Sequence, residues 1–497
     1  MIRICLLVFT LSFSVACQPE KDKPNDNHQT QFQEPYRSQF HFTPPSGWMN
    51  DPNGMVYYEG EYHLFYQHYP DSTVWGPMHW GHAASKDLMH WEHLPIALFP
   101  DSLGYIFSGS AVVDWKNTSG LGSKTNPPLV AIFTFHDAAE AEKGRNDFQT
   151  QGIAYSLDKG RTWKMYDGNP VLHNPGIADF RDPKVSWHES SKQWIMSLAV
   201  KDHIEFYSSP DFKKWNKLSE FGQRVGAHGG VWECPDLFPL KDQNGNTKWI
   251  LFVSINPGGP QGGSATQYFV GNFDGQKFTS QDTITRWIDY GPDNYAGVTW
   301  SDIPQSDGRR LFLGWMSNWQ YGQVVPTEKW RSAMTLPREI SLLRNVDVYE
   351  LKFSPAREVK NLEGTPKNFN EDATLDNPLC KISFKVDSSQ TFLLTIYNEK
   401  NEKVMMSLNA GVLSFDRRQS GLTSFNKDFP AVHKVNMHDI NIETLDVYVD
   451  LASIEVFVNG GGRVLTEIVF PSVPYNKIRL EQGDPQFAIS PLSSVWK

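Results

Sequence analysis

Three carboxylates in this chain stand beside an aromatic ring with a proline one or two positions on. They are Asp51 in Trp48-Met49-Asn50-Asp51-Pro52-Asn53-Gly54, Asp182 in Phe180-Arg181-Asp182-Pro183, and Glu233 in Trp232-Glu233-Cys234-Pro235-Asp236. Proline fixes its own φ and disfavours a helical predecessor, so Asp51 and Asp182 are expected in extended backbone at strand ends or turns. Splitting a glycosidic bond takes one carboxylic acid to protonate the leaving oxygen and one carboxylate to face the oxocarbenium-like centre. A short aspartate suits the second task, and a longer glutamate beside an indole, where charge is poorly solvated, suits the first. Singly, each Asp-Pro also reads as an ordinary turn start. The set of three is what points to chemistry.

Further runs occur in order along the chain. They are Phe65-Tyr66-Gln67, Trp75-Gly76-Pro77-Met78-His79-Trp80-Gly81-His82, Phe107-Ser108-Gly109-Ser110, Asp293-Asn294-Tyr295-Ala296-Gly297, Leu313 to Trp319, and Trp330-Arg331. With the three acidic sites they resemble the successive signature blocks of glycoside hydrolase family 32, in wording nearest to bacterial levanases and exo-inulinases. The resemblance runs from about Phe40 to the C-terminus. It implies that Asp51 is the nucleophile, Glu233 the acid and later the base, and Asp182 the transition-state stabiliser of a retaining β-fructofuranosidase acting on fructans. It also places Asn50, Gln67, Trp75, Ser108, Arg181, Tyr295 and Trp315 in the sugar pocket. Amides and hydroxyls suit a polyol, and the indoles of Trp75, Trp315 and Trp319 offer faces to furanose C–H edges.

No cofactor or metal is expected. His79 and His82 have the spacing of a ligand pair, but no third ligand follows at a matching interval. His68 departs from the family, where an aromatic is more common. Cys234 is expected to be buried structure, facing away from Glu233 as adjacent strand residues do.

Elements able to bring such distant acids together follow from a repeat. Ser85-Lys86-Asp87 leads to Trp91, Ser156-Leu157-Asp158 to Trp163, Ser209-Pro210-Asp211 to Trp215, and Phe273-Asp274-Gly275 to Phe278. The aspartates are 71, 53 and 63 positions apart, intervals compatible with elaborated four-stranded propeller blades. Short β-branched and aromatic runs at Glu61–Gln67, Leu129–Phe135, Trp194–Val200 and Trp249–Ile255 read as strands. The expected fold is all-β: a five-bladed β-propeller over residues 37–358, then a β-sandwich over 359–497. A radial propeller would let Asp51, Asp182 and Glu233 converge. In the second unit Ile382-Phe384-Val386, Phe392-Leu394-Ile396, Leu445-Val447-Val449 and Ile454-Val456-Val458 alternate with polar neighbours, as half-buried antiparallel strands do. The sandwich is expected to pack against the propeller, and Ala356 to Pro378 to hold a linker and an early strand.

Met1-Ile2-Arg3 and the apolar run to Val15 read as a secretory signal, and Ser14-Val15-Ala16-Cys17 resembles a lipobox with Cys17 lipidated. Residues 18–36 are expected to form a disordered tether. This places the protein in a bacterial cell envelope, attached to membrane by lipid alone. A formal net charge of −10 over 497 residues, with scattered Lys and Arg, excludes the clustered basic face of a nucleic-acid binder and suits an uncharged substrate. The residues leave open exo or endo attack, transfer to a sugar in place of water, and a silent fructan-binding lipoprotein.

Overall fold

The computed structural model describes residues 32–345, 348–386, 391–481 and 486–496. The expected signal, Cys17 and most of the expected tether lie outside them. From Gly47 to Pro355 the chain builds five sheets of four or five strands. Their innermost strands are Gly47–Tyr58, Tyr105–Val113, Phe180–His188, Val231–Lys241 and Tyr295–Thr299. Each touches the innermost strand of the next sheet, and the fifth returns to the first. A short late strand, Trp330–Arg331, pairs in parallel with Gly47-Trp48 and ties the end of the circuit to its start.

The four apolar runs read from the sequence fall in the second strands, Glu61–Tyr69, Leu129–His136, Gln193–Val200 and Thr247–Asn256. They are buried along most of their length, because a sheet with neighbours on both faces needs apolar side chains on both. The repeated turns join third to fourth strands in four of the sheets. Ser85, Ser156 and Ser209 donate to Asp87, Asp158 and Asp211 at 3.1, 2.7 and 3.3 Å. Trp91, Trp163 and Trp215 each donate the indole N–H to the carbonyl three residues back, at 2.9, 3.0 and 2.9 Å. One side-chain arrangement thus closes three sheets, and Asp274 accepts from the backbone of Gln276 and Lys277 in the fourth.

Beyond a 3₁₀ turn at Arg357–Leu362, two six-stranded sheets face each other across Ile382, Phe384, Leu394, Ile396, Met406 and Val447. Cys380–Lys385 and Phe392–Tyr397 alternate as expected. Ser453–Val458 and Arg463–Ile468 do not, being buried at every position. Their second face is covered by the sheets of the first unit: Phe457 and Val464 share a cluster with Phe312, Phe353 and Leu336. Val359 and Leu362 join that cluster, so the stretch expected as a linker is packed. The expected tether also ends earlier than residue 36. Phe32 stacks on Trp496 at 4.0 Å and Tyr36 meets Phe470 edge-on at 5.2 Å, because these two rings find apolar partners to cover them.

Charged groups are buried between the two parts. His41 lies between Asp450 at 2.7 Å and Glu455 at 2.9 Å, and Arg338 joins Asp289 at 2.9 Å to Glu455 at 2.6 Å. Arg417 meets Asp293 at 2.6 Å and Glu467 at 3.2 Å. Removing one partner from such a set leaves an uncompensated buried charge, costing about 3–5 kcal/mol. Burial opposes the charge on His41, but Asp450 and Glu455 raise its pKa from 6.5 to about 9. Because the folded value is the higher one, the stability from protonated His41 is complete below pH 6.5 and is lost as pH rises through about 9. The shift corresponds to on the order of 3 kcal/mol. His41→Gln is therefore expected to lower Tm most below pH 6.5, with the gap to wild type narrowing toward pH 9 in calorimetric scans. A gap that stays constant across that range would contradict the assignment.

Candidate active site

The chemistry-bearing residues lie at the N-terminal ends of the innermost strands. Asp51 is the fifth residue of its strand, Ser108 the fourth, Asp182 and Glu233 the third, and Tyr295 the first. Each of these strands slips register at that point: between Met49 and Pro52, Ile106 and Gly109, Arg181 and Lys184, Glu233 and Asp236, and Tyr295 and Val298. A bulge leaves a residue unpaired, sharpens the twist and re-aims side chains. Gly54, at φ 51, ends the first run where a Cβ would come within 2.7 Å of the Phe65 and Trp80 rings.

Asp182 takes a left-handed φ of 63, unlike the extended backbone expected before Pro183. Tertiary bonds override the local preference. Its N–H donates to Thr134 Oγ1 at 3.0 Å, and its Oδ2 accepts from the Cys234 N–H at 3.1 Å. Thr134 donates in turn to Gln151 at 2.6 Å, and Gln151 donates to the Phe180 carbonyl at 2.9 Å. This buried polar bracket was missed by sequence reasoning, although the two glutamines Gln149 and Gln151, spaced to face the same side of one strand, are its signal.

Three carboxylates converge. Asp51 Oδ2 accepts from Ser108 Oγ at 2.6 Å and Oδ1 from Asn50 Nδ2 at 2.9 Å, while Trp48 Nε1 fixes the Asn50 amide at 2.7 Å. Arg181 Nη2 donates to Glu233 Oε1 at 2.8 Å and Nη1 to Asp179 at 2.5 Å, with Nε 3.9 Å from Asp182. The Tyr295 hydroxyl donates to the other oxygen of Glu233. Cys234 Sγ lies 3.5 Å from Asp51 Oδ2 and 3.7 Å from Asp182 Oδ2. Cys234 is buried as expected but does not face away from the acids: its φ of 46 in the bulge breaks the strand alternation.

Burial raises the Asp51 carboxyl, the Ser108 hydrogen bond opposes this, and Glu233 adds to it. Burial likewise pushes Asp182 up, with Arg181 pulling down and Glu233 and Asp51 pushing further up. The Cys234 thiol is held far up by burial and by the three acids, so it is an uncharged filler and weak donor rather than a nucleophile.

The pocket is lined by Asn50, Asp51, Gln67, Trp75, Phe107, Ser108, Arg181, Asp182, Glu233 and Trp319. Phe107 joins Ser108 on one side although the two are adjacent, again at a bulge. Two expected pocket residues stand behind this wall. Tyr295 is buried and reaches Glu233, and Trp315 is fully buried against Trp48 and Trp319, so half-buried Trp319 and exposed Trp75 are the indoles that line the pocket. Trp232 likewise turns into the core against His228 and Phe269, so Arg181 and Tyr295, not its indole, surround the Glu233 carboxylate. His68 donates to or accepts from no pocket group but contacts the Trp48 carbonyl at 2.8 Å. His79 and His82 have separate partners, Pro77 O at 2.9 Å and His63 at 3.0 Å. Among the described residues one cluster has ligand-type groups close together, His203, Glu205 and Glu220, and the Lys217 ammonium already sits 2.5 Å from both glutamates.

The model of the N-terminal domain of glycosyl hydrolases family 32 matches residues 41–355, and that of the family's C-terminal domain matches residues 347–495. A levanase of Bacillus subtilis (strain 168) is 45% identical, covering 99% of this chain and 75% of its own. An extracellular exo-inulinase of Aspergillus awamori is 39% identical, covering 94% of this chain and 96% of its own. The crystal structure of exo-inulinase from Aspergillus awamori superimposes with a TM-score of 0.86 at 34% identity, over 94% of this chain and 100% of that one. A β-fructofuranosidase from Schwanniomyces occidentalis complexed with fructosyl-erythritol gives a TM-score of 0.82 at 31% identity, over 94% of this chain and 99% of that one.

Proposed function

The chain belongs to glycosyl hydrolases family 32, and from that premise we propose that it is an exo-acting β-fructofuranosidase releasing terminal fructosyl units from levan or inulin, with sucrose as a short substrate. The carrying observation is the gathering of Asp51, Asp182 and Glu233 around Arg181 in one pocket. The names of the levanase and exo-inulinase relatives supply the substrate class.

In this reading Asp51 attacks the anomeric carbon as Glu233 gives its proton to the glycosidic oxygen, whose bond to that carbon breaks. The fructosyl ester on Asp51 is then hydrolysed by a water that yields its proton to Glu233, so configuration is retained. Asn50 and Ser108 orient the nucleophile, Arg181 and Tyr295 hold the acid, and Asp182 with Arg181 grips ring hydroxyls as charge develops. Gln67 donates to the Ile106 carbonyl at 3.0 Å and presents the rest of its amide to the sugar. The pocket is small, about 60 Å³, and is walled by Trp75, Phe107 and Trp319, which favours exo attack on a chain end over an endo cleft. Transfer in place of hydrolysis would need a sugar where the attacking water stands.

The five sheets serve as the blades of a five-bladed propeller over residues 37–358, and residues 359–497 as the sandwich. An exported protein held by a lipid on Cys17 fits the leader, and the Aspergillus relative is described as extracellular. Cys17→Ala is expected to release the protein from the membrane fraction, whereas a wild type already found in the soluble fraction would indicate a secreted form.

Incubation with levan and with inulin tests the reading directly. Fructose alone is expected from the first minutes, and Asp51→Ala and Glu233→Ala are each expected to lower kcat by several orders of magnitude with Tm preserved. An early ladder of oligosaccharides would indicate endo attack. Wild-type turnover in either variant would remove the mechanism, and no product from wild type would favour a binding protein.

A further inference from the structure

The opposite mouth of the ring holds a cavity of about 480 Å³ that the reaction does not use, within the size range of small-molecule sites. It is walled by the far ends of the same innermost strands, around Val113, Lys184 to His188 and Asp236 to Pro239, and by Ser301-Asp302 beyond the fifth. Four indoles line it: Trp115, Trp187, Trp194 and Trp249.

Two of these rings are held in fixed poses at the rim, Trp115 exposed and Trp187 half-buried. Trp115 is 55% exposed, yet its indole N–H donates to Asp302 Oδ1 at 2.9 Å. Asp302 is itself fixed, at φ 60 and accepting the Val113 N–H on Oδ2 at 2.9 Å. At the rim the Trp187 indole N–H donates to Glu189 at 2.5 Å, and the Lys116 ammonium lies over its ring at 4.5 Å while pairing with Glu189 at 2.9 Å. An exposed aromatic plane whose rotamer is already set loses little entropy on binding and suits stacking under the C–H face of a sugar.

The floor supplies polar partners of both signs. Lys184 Nζ donates to the Thr299 carbonyl at 2.5 Å and lies 3.4 Å from Asp236, and Arg310 donates to the Trp300 carbonyl at 3.3 Å. An ammonium has three N–H groups and a guanidinium five, so both cations line the cavity with donors beyond these bonds. The charges offset one another: Lys184 faces Asp236, Lys116 faces Glu189, and Arg310 feels both Asp236 and Asp302. Without a field of one sign, an anionic or cationic ligand has no advantage. Aromatic planes over mixed donors and acceptors match a neutral polyhydroxylated one.

We propose that this cavity is a second, non-catalytic binding site for a neutral sugar chain. The identity of that chain as fructan rests on the proposed function above. A polymer held there would keep the enzyme on its substrate between cleavages, raising the effective concentration of chain ends at the catalytic mouth. Sucrose, consumed in the catalytic pocket alone, would gain nothing.

Affinity electrophoresis of the full chain through gels containing levan or inulin tests this, with Asp51→Ala as the background so that the polymer survives. Asp51→Ala is expected to be retarded by at least one of the two polymers, and adding Trp115→Ala and Trp187→Ala is expected to weaken that retardation about tenfold. In the active background the two Trp replacements are expected to raise KM for the polymer several-fold while leaving kcat and KM for sucrose unchanged, which also reports correct folding. Trp115→Ala alone serves if the double replacement loses sucrose activity. Equal retardation with and without the indoles, or an unchanged polymer KM, would overturn the second site. If the wild type releases no fructose from any fructan, the proposed function falls by itself. The cavity is then judged by the same gels, and passage of Asp51→Ala unretarded through both would overturn it too.

Discussion

Three carboxylates do not gather in a buried pocket unless something holds them against desolvation and their mutual repulsion. Arg181 is the group that does so, reaching Glu233 at 2.8 Å and Asp179 at 2.5 Å with Asp182 at 3.9 Å. Burial opposes its own charge, and Glu233, Asp182 and Asp179 hold it protonated. Arg181 and Asp182 are neighbours in one strand, where regular alternation would send one of them away. The bulge and the left-handed Asp182 allow both to serve the same pocket. The same device recurs in all five innermost strands, so the mouth of the ring is a circle of re-aimed side chains.

The second unit contributes to this geometry from outside the pocket. Its edge strand Arg463–Ile468 bonds the loop that leads into Tyr295, with Tyr290 N–H on the Val464 carbonyl at 2.8 Å and Asp293 N–H on that of Thr466 at 3.2 Å. Gly291 permits the approach, since a Cβ there would meet the Thr466 carbonyl oxygen at 2.3 Å. Asp289 and Asp293 are anchored by Arg338 and Arg417. The sandwich therefore fixes the segment whose last residue donates to Glu233, a packing role that reaches the chemistry through one loop.

Much of this was legible in the sequence. The three acids stood out because aromatics and prolines cluster at them, Asn50, Ser108 and Arg181 were placed beside them by the family resemblance, and all six line one pocket. The Ser-x-Asp turns were legible because identical side-chain bonds need identical residues at identical spacing. What failed were directions. Strand alternation misplaced Cys234, because a bulge has no reliable residue signature. It also misread Ser453–Val458, whose outer face is covered by a unit distant in sequence. Trp315 and Trp319 are chemically alike, and only packing decides which of them faces the sugar. Phe32 and Tyr36 were submerged in a polar stretch whose composition dominated the reading.

Under the proposed mechanism Asp51 carries the fructosyl group through the reaction. Glu233→Ala, incubated with a β-fructosyl donor whose leaving group needs no protonation, should stall after the first step, because the base for hydrolysis is gone. Acid quenching, proteolysis and mass spectrometry should then find the peptide containing Asp51 heavier by one fructosyl unit. A label on Asp182 or on Cys234, or leaving-group release in a burst with every peptide unmodified, would contradict the account.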